Sequence, residues 1–145
     1  MTKYHGRNQF LNISMPPTAI NYNMQGYLIE TDLPLEQDLS DITTGGSVGH
    51  KFYPGLAKAS GSFKLMFDNA TNGTVNVFSN ALYWQQNVAE NSFSCDYGPG
   101  GNAAGSPKYI FSFYVKSVSL PVKVADVITE TVSWENHNGW TVSTY

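Results

Sequence analysis

The residue types that most often carry out chemistry are few in this chain and lie far apart. The three histidines, His5, His50 and His137, fall in predicted termini, loops or turns, and no two of them have the short spacing of a metal site. Cys95 is the single cysteine and lies in an alternating segment, where a lone cysteine is more often a small buried side chain than a nucleophile. The sequence therefore predicts no catalytic residue, no metal site and no cofactor.

Acidic side chains are concentrated in one segment. Five of the eleven Asp and Glu residues fall within twelve positions, namely Glu30, Asp32, Glu36, Asp38 and Asp41. A solvated loop explains this cluster as readily as a function does. A carboxylate pair for glycoside hydrolysis would also need a cleft with aromatic platforms. Such platforms could come from the tryptophans, although aromatic residues of a β-domain are more often core: Trp84, Trp134 and Trp140.

Composition narrows the class of protein. A chain of 145 residues most economically forms one domain, spanning residues 1–145. Charged residues make up only 13% of the chain, about half the usual share, which favours a surface built for association. The net charge of −3 argues against a protein that grips DNA by neutralising phosphates. With no signal peptide and no apolar run of membrane-spanning length, we expect a soluble protein made in a cytoplasm.

The elements that must position these residues are mainly strands. Period-two alternation of apolar and polar residues predicts strands at residues 9–14, 25–30, 60–68, 92–97, 108–120, 124–134 and 140–145. Asn138-Gly139 predicts a hairpin between the last two strands, because both residues tolerate positive φ. Helical spacing occurs at residues 74–84, and residues 31–55 have no regular pattern. The predicted fold is a β-sandwich or barrel-like domain with one flanking α-helix and a long irregular arm.

Several short motifs follow one another in a characteristic order. They are Asp41-Ile42-Thr43, Pro54-Gly55-Leu56, Ala59-Ser60-Gly61-Ser62-Phe63, Phe113-Tyr114-Val115, Val132-Ser133-Trp134 and Asn138-Gly139-Trp140. In this order, from residue 26 onward, the chain resembles the tail tube (major tail) proteins of long-tailed bacteriophages. Each motif is degenerate, so the resemblance depends on their succession.

The resemblance implies a structural role in a virion. Six subunits would close a ring, and rings would stack into a tube through which DNA is ejected into the host. The protein would be synthesised in the bacterial cytoplasm and end in the virion tail. Its partners would be identical copies and other tail proteins, namely the tape measure, terminator and distal tail proteins. DNA would pass without specific binding, and no membrane would be involved.

The resemblance also implies roles for particular residues. The arm, residues 31–55, would reach the next ring and become ordered on assembly, with candidate contacts at Asp32, Glu36, Asp38, Asp41, Lys51, Phe52 and Tyr53. A lumen wall that lets phosphates slide past should be negative or neutral. The candidate lumen-facing acids are Asp126, Glu130, Glu30 and Asp96, for which salt bridges between subunits are the alternative role.

Other readings stay open at this point. The chain could be a different ring component of a virion, such as a tail terminator, a head–tail joining protein or a baseplate protein, because a shared fold does not fix position. A carbohydrate- or receptor-binding β-sandwich is a further alternative, suggested by the aromatic residues. A hydrolase comes third, because the sequence has no nucleophile–base pattern.

Overall fold

A computed structural model describes residues 6–15, 20–67, 78, 92–122, 124 and 128–145. Within these ranges a short 3-10 turn, Gly6–Asn8, precedes eight strands. They are β1 (Phe10–Met15), β2 (Ile20–Asn23), β3 (Leu28–Asp32), β4 (Leu35–Asp41), β5 (Phe52–Met66), β6 (Phe93–Gly98), β7 (Pro107–Ser119) and β8 (Thr129–Thr144). The strands form one antiparallel sheet in the order β2-β1-β6-β7-β8-β5-β3, and β4 pairs with β5 off this path. The prediction of a mainly β, barrel-like domain is confirmed.

Alternation along the strands separates the two faces of the sheet. In β7, Phe111, Phe113 and Val115 are buried, whereas the side chains between them are half-buried on the other face. The strands β6 and β5 repeat this pattern, and their buried members are Phe93, Cys95, Phe63 and Leu65. Because one face is apolar and the other polar, the register of each strand is firmly specified.

Aromatic rings form the centre of the core. Trp134 is 1% exposed and stacks on Phe111, with ring centroids 4.8 Å apart, and on Phe63 at 5.6 Å. Phe113 contacts Phe63 edge-on at 6.1 Å. Full burial of one such side chain stabilises a fold by roughly 1.5–3 kcal/mol. Trp134 is therefore a core residue and is not available as a surface platform.

The sheet is curled into a half-barrel. Strands β2 and β3 lie at opposite ends of the strand order, yet only residues 24–27 connect them. A flat seven-stranded sheet would separate its two edges by about 29 Å, whereas such a connection spans at most about 18 Å. The side-chain amide of Gln9, next to β1, donates to the carbonyl oxygen of Ile29 in β3 at 3.3 Å. The short connection thus requires the curl.

The predicted hairpin at Asn138-Gly139 is wrong. Residues 129–144 form one continuous strand, β8, which pairs with β7 along its length. Asn138 and Gly139 do have positive φ, at 64° and 73°, but they form a bulge. Phe111 pairs with Trp140 while the next residue of β7, Ser112, pairs with His137, so two extra residues are accommodated on β8.

A side-chain amide stabilises this bulge. The Nδ2 of Asn136 donates to the carbonyl oxygen of Ser112 across the strand pair and to that of Gly139 within the bulge, both at 2.9 Å. Asn138 and Gly139 form a bulge instead of a hairpin turn because β7 is long enough to pair with β8 on both sides of them.

The prediction that residues 31–55 are irregular is also wrong. This segment contains β4 and the start of β5, joined by a loop at residues 42–51. The pairing of β3 with β5 continues into the pairing of β4 with β5, so residues 28–66 form one long antiparallel hairpin. Backbone hydrogen bonds to β5 give the segment its structure without a hydrophobic pattern of its own.

The predicted helix at residues 74–84 lies outside the described residues except for Phe78. This side chain is 1% exposed and its ring lies 6.3 Å from that of Phe63. No helix in the described part of the chain is long and apolar enough to cross a membrane.

Candidate assembly surfaces

The first candidate surface is the outer part of the long hairpin, residues 35–59. From here on, the arm means these residues, in place of the predicted range 31–55. Strand β5 pairs with β8 only from Ser60 onward, and before that point its only described partner is β4. All of β4 and the first seven residues of β5 are exposed. At about 3.3 Å per residue, the seven residues of β4 extend roughly 23 Å. The arm is a two-stranded ribbon that projects from the sheet.

The arm has one apolar face. Paired residues of antiparallel strands share a face, and Leu35 pairs with Ala59, a buried member of the core. Alternation along β4 places Gln37 and Leu39 on this same face, and Leu39 pairs with Pro54 beyond a shift in register that follows Gln37. Leu39 is 60% exposed and Phe52, which pairs with Asp41 on this face, is 54% exposed. The apolar face of the core therefore continues outward along the arm into solvent.

The tip of the arm is held by local hydrogen bonds. The backbone amide of Thr43 donates to Oδ1 of Asp41 at 2.9 Å, and the amide of Lys51 donates to Oγ1 of Thr43 at 2.9 Å. Hydrogen bonding to Asp41 from the side chain of Thr43, then from its backbone amide, and more weakly from His50, lowers the pKa of Asp41. The tip thus has hydrogen bonds of its own within a single subunit.

The seven residues predicted as arm contacts fall into two groups. Asp32 lies in the sheet, where it pairs with Ser62. The other six lie on the exposed arm, and Glu36 forms a salt bridge of 3.6 Å with Lys58. These six are Glu36, Asp38, Asp41, Lys51, Phe52 and Tyr53.

The second candidate surface is the sheet face opposite the core, here called the polar face. Hydroxyl and amide side chains line up across the strands at Asn12, Ser14, Ser62, Ser94, Ser112, Thr131 and Ser133. Its charges are largely compensated. Lys108 lies 3.7 Å from Asp96, Lys116 lies 3.5 Å from Glu135, and Glu30 pairs across strands with Lys64. The face is strongly polar but nearly neutral.

The predicted lumen-facing acids do not share one surface. Glu30 is exposed and Asp96 half-buried, and both lie on the polar face. Glu130 is 0% exposed, so its prediction as a lumen residue is wrong. It alternates in phase with Val132 and Trp134, the core-facing residues of β8, and this phase places its side chain inside the subunit. Asp126 lies outside the described residues.

The third candidate surface was missed by sequence reasoning. At the end of the sheet where β5 and β7 finish and β8 begins, five apolar side chains are exposed; this group is called the rim. Its members and exposed fractions are Met66 (42%), Phe67 (36%), Leu120 (43%), Val122 (68%) and Val124 (100%). The signal in the sequence was the run of apolar residues around Pro121, which is interrupted by one lysine, Lys123.

The residues that could do chemistry are placed unfavourably for it. Burial raises the pKa of the Cys95 thiol well above its usual value, so a reactive thiolate is disfavoured. Among the residues that the structure describes, no three His, Cys, Asp or Glu side chains are grouped as metal ligands would be. A shallow groove of about 220 Å³ beside the β8 bulge is lined by hydroxyls, His137 and Trp140.

Comparison with known proteins places this architecture. No family model and no curated protein sequence matches the chain. Solved structures do match, among them the tail of an empty gene transfer agent particle with C6 symmetry, at TM-score 0.70 and 11% identity over 98% of this chain and 100% of that chain. The SPP1 tail tube matches at TM-score 0.68 and 9% identity, over 99% and 80%. The baseplate of the anti-feeding prophage, 6-fold symmetrised, matches at 0.70 and 10%, over 99% and 97%. The chain has the fold found in these assemblies.

Proposed function

We propose that this chain is the structural subunit of a bacteriophage tail tube, with six copies in each ring and rings stacked into a conduit for DNA. The observation that carries the proposal is the match over nearly the whole chain to a tail that has C6 symmetry. The protein acts by assembly and has no catalytic role. It resides in the virion tail after synthesis in the host cytoplasm.

The three surfaces suit this function physically. Sheet edges that carry unpaired backbone groups favour pairing with another chain, and pairing around a ring extends the curled sheet into a continuous barrel. The arm then contacts the neighbouring ring. The polar face lines the lumen, where its hydroxyl groups and compensated charges neither hold nor strongly repel phosphates.

Position within the tail distinguishes the main alternative. A terminator, head–tail joining or baseplate ring can share this fold, and the likeness to the anti-feeding prophage baseplate favours keeping that candidate. In the proposed role the partners are identical copies together with the tape measure, terminator and distal tail proteins. The carbohydrate-binding alternative loses one of its three candidate platforms because Trp134 is a core residue.

Self-assembly of the purified protein tests the proposal. We expect negative-stain electron microscopy of concentrated protein to show long tubes with a regular axial repeat. Rings that stay single at every concentration would instead indicate a terminator or joining protein. A protein that remains monomeric at every concentration would contradict both ring-forming roles.

Charge reversal on the polar face tests its assignment to the lumen. Glu30 is exposed there, so Glu30→Lys should still fold and form tubes, while the added positive charge attracts phosphates and slows DNA ejection several-fold at low salt. Glu30→Gln is the matched control and should eject DNA at nearly the normal rate. The measurement is DNA release from purified particles, and unchanged release by Glu30→Lys would remove Glu30 from the lumen wall.

A further inference from the structure

The arm and the rim lie at opposite ends of the same strand. The arm contains the first half of β5, whereas Met66 of the rim is the last residue of β5. A strand of 15 residues is about 50 Å long, so these two exposed apolar surfaces lie well apart on the subunit. One subunit cannot bring its own arm to its own rim.

We infer that the rim is the surface that receives the arm of a copy in the adjacent ring. This inference rests on the proposed function and names the two sides of its ring-to-ring contact. A contact between different surfaces of identical subunits is heterologous, and when it joins opposite ends it repeats without closing. Such a contact builds a tube from rings.

The exposure of the rim argues that a partner covers it. Val122 and Val124 are 68% and 100% exposed, although each is a purely apolar side chain. Together with Leu120 they fall within one short stretch of chain that follows β7, next to the end of β5, and exposed apolar residues grouped in this way are typical of an interaction site. Burial of exposed apolar area favours association, and ring stacking repeats each subunit contact six times.

The arm of a second copy matches this surface in its apolar character and in its number of copies. Its apolar face presents Leu39 and Phe52, both more than half exposed. The projection of roughly 23 Å carries these side chains beyond the body of the subunit. Every subunit also carries one arm and one rim, so the two surfaces are equal in number at every level of the tube.

Two variants and their mixture test the assignment. A rim variant, Val122→Asp with Val124→Asp, and an arm variant, Leu39→Asp with Phe52→Asp, should each form single rings and no tubes. In a mixture, the intact arms of the rim variant can occupy the intact rims of the arm variant. We therefore expect stacks of two rings that grow no further, seen by electron microscopy and by sedimentation.

The controls separate this inference from the proposed function. Val122→Leu with Val124→Leu keeps the rim apolar and should form normal tubes. Normal tubes from the Asp rim variant, or a mixture that stays as single rings, would overturn the assignment while wild-type tubes leave the proposed function intact. Wild-type protein that forms no rings would overturn both.

A crosslinking measurement guards against an Asp variant that fails to fold. Leu39→Cys with Val124→Cys places two exposed thiols in the arm and rim, whereas Cys95 is buried. Where this variant forms tubes, a short bismaleimide should crosslink its subunits, and gel electrophoresis should show a ladder of covalent multimers. Monomers alone after treatment of visible tubes would refute the contact.

Discussion

Deletion of the arm is expected to abolish tubes completely while the protein still folds and closes rings. Replacing residues 37–57 with Asn-Gly would join Glu36 to Lys58, which already face each other across the hairpin with a salt bridge of 3.6 Å. Asn-Gly is the preferred two-residue turn for such a junction. The shortened hairpin therefore keeps the register of the body.

The physical reason is that, in the proposed tube, the arm adds contacts between subunits and makes few within one. All of β4 and the outer half of β5 are exposed, so their removal takes almost no area out of the core. A two-stranded ribbon is at best marginally stable by itself, and its loss should change the free energy of unfolding by less than about 1 kcal/mol. Ring stacking in the proposed tube, in contrast, would lose all six arm contacts at each joint.

Electron microscopy and thermal unfolding followed by circular dichroism measure the two effects separately. The control is the single substitution Gly46→Ala at the exposed tip of the arm, where an added Cβ meets nothing within 4 Å. The control should assemble normally. Long tubes from the arm-deleted protein would show that ring stacking depends on other surfaces.

Gly61→Ala is expected to have the largest effect on the fold itself. A Cβ at this position would lie 2.2 Å from the carbonyl oxygen of Asp32 and 2.8 Å from the ring of Trp134. Neither neighbour can yield easily, because one is backbone of a paired strand and the other belongs to the aromatic core. Overpacking of this kind costs about 3 kcal/mol, which lowers the melting temperature by roughly 10 °C in a domain of this size.

The position explains why only glycine fits. Gly61 lies where β3 gives way to β4 as the partner of β5, between the pairs Asp32–Ser62 and Leu35–Ala59. The chain at Pro34 must pass close to β5 there, and Pro34 Cδ would be 3.2 Å from an added Cβ. Gly26→Ala is the control, because nothing lies within 4 Å of its Cβ, and it should unfold at nearly the wild-type temperature. Equal melting of the two variants would contradict the close approach at Gly61.

Much of the sheet could be predicted from the sequence because period-two alternation is a direct consequence of a face that is half buried. The run from Tyr109 to Val115 alternates clearly, and it lies within β7 as expected. The strands of the arm were not predicted because Pro34, Pro54 and several polar residues interrupt the alternation of apolar and polar positions. Strand β4 forms because it pairs with β5. Propensity alone does not reveal a strand that is specified by its partner.

Two errors arose from local signals that serve more than one structure. Asn138-Gly139 supplies positive φ, and positive φ is needed by a turn and by a bulge alike. Glu130 was predicted to face the lumen because it is charged, whereas its carboxylate lies inside the subunit, on the face that it shares with Val132 and Trp134. The rim was missed because the exposure of a short apolar run at the end of a strand depends on whether another part of the fold covers it. The sequence of the run itself does not show this.

Strand β5 belongs to the body in its second half and to the arm in its first half, without an intervening linker. The direction of the arm is consequently fixed by the twist of the sheet. The arm is a rigid lever attached to the body, in contrast to a flexible linker. Flexing one joint of a tube built from such levers would require retwisting six half-barrels together. The stiffness of the whole filament would then derive from the coiling of a single β-ribbon.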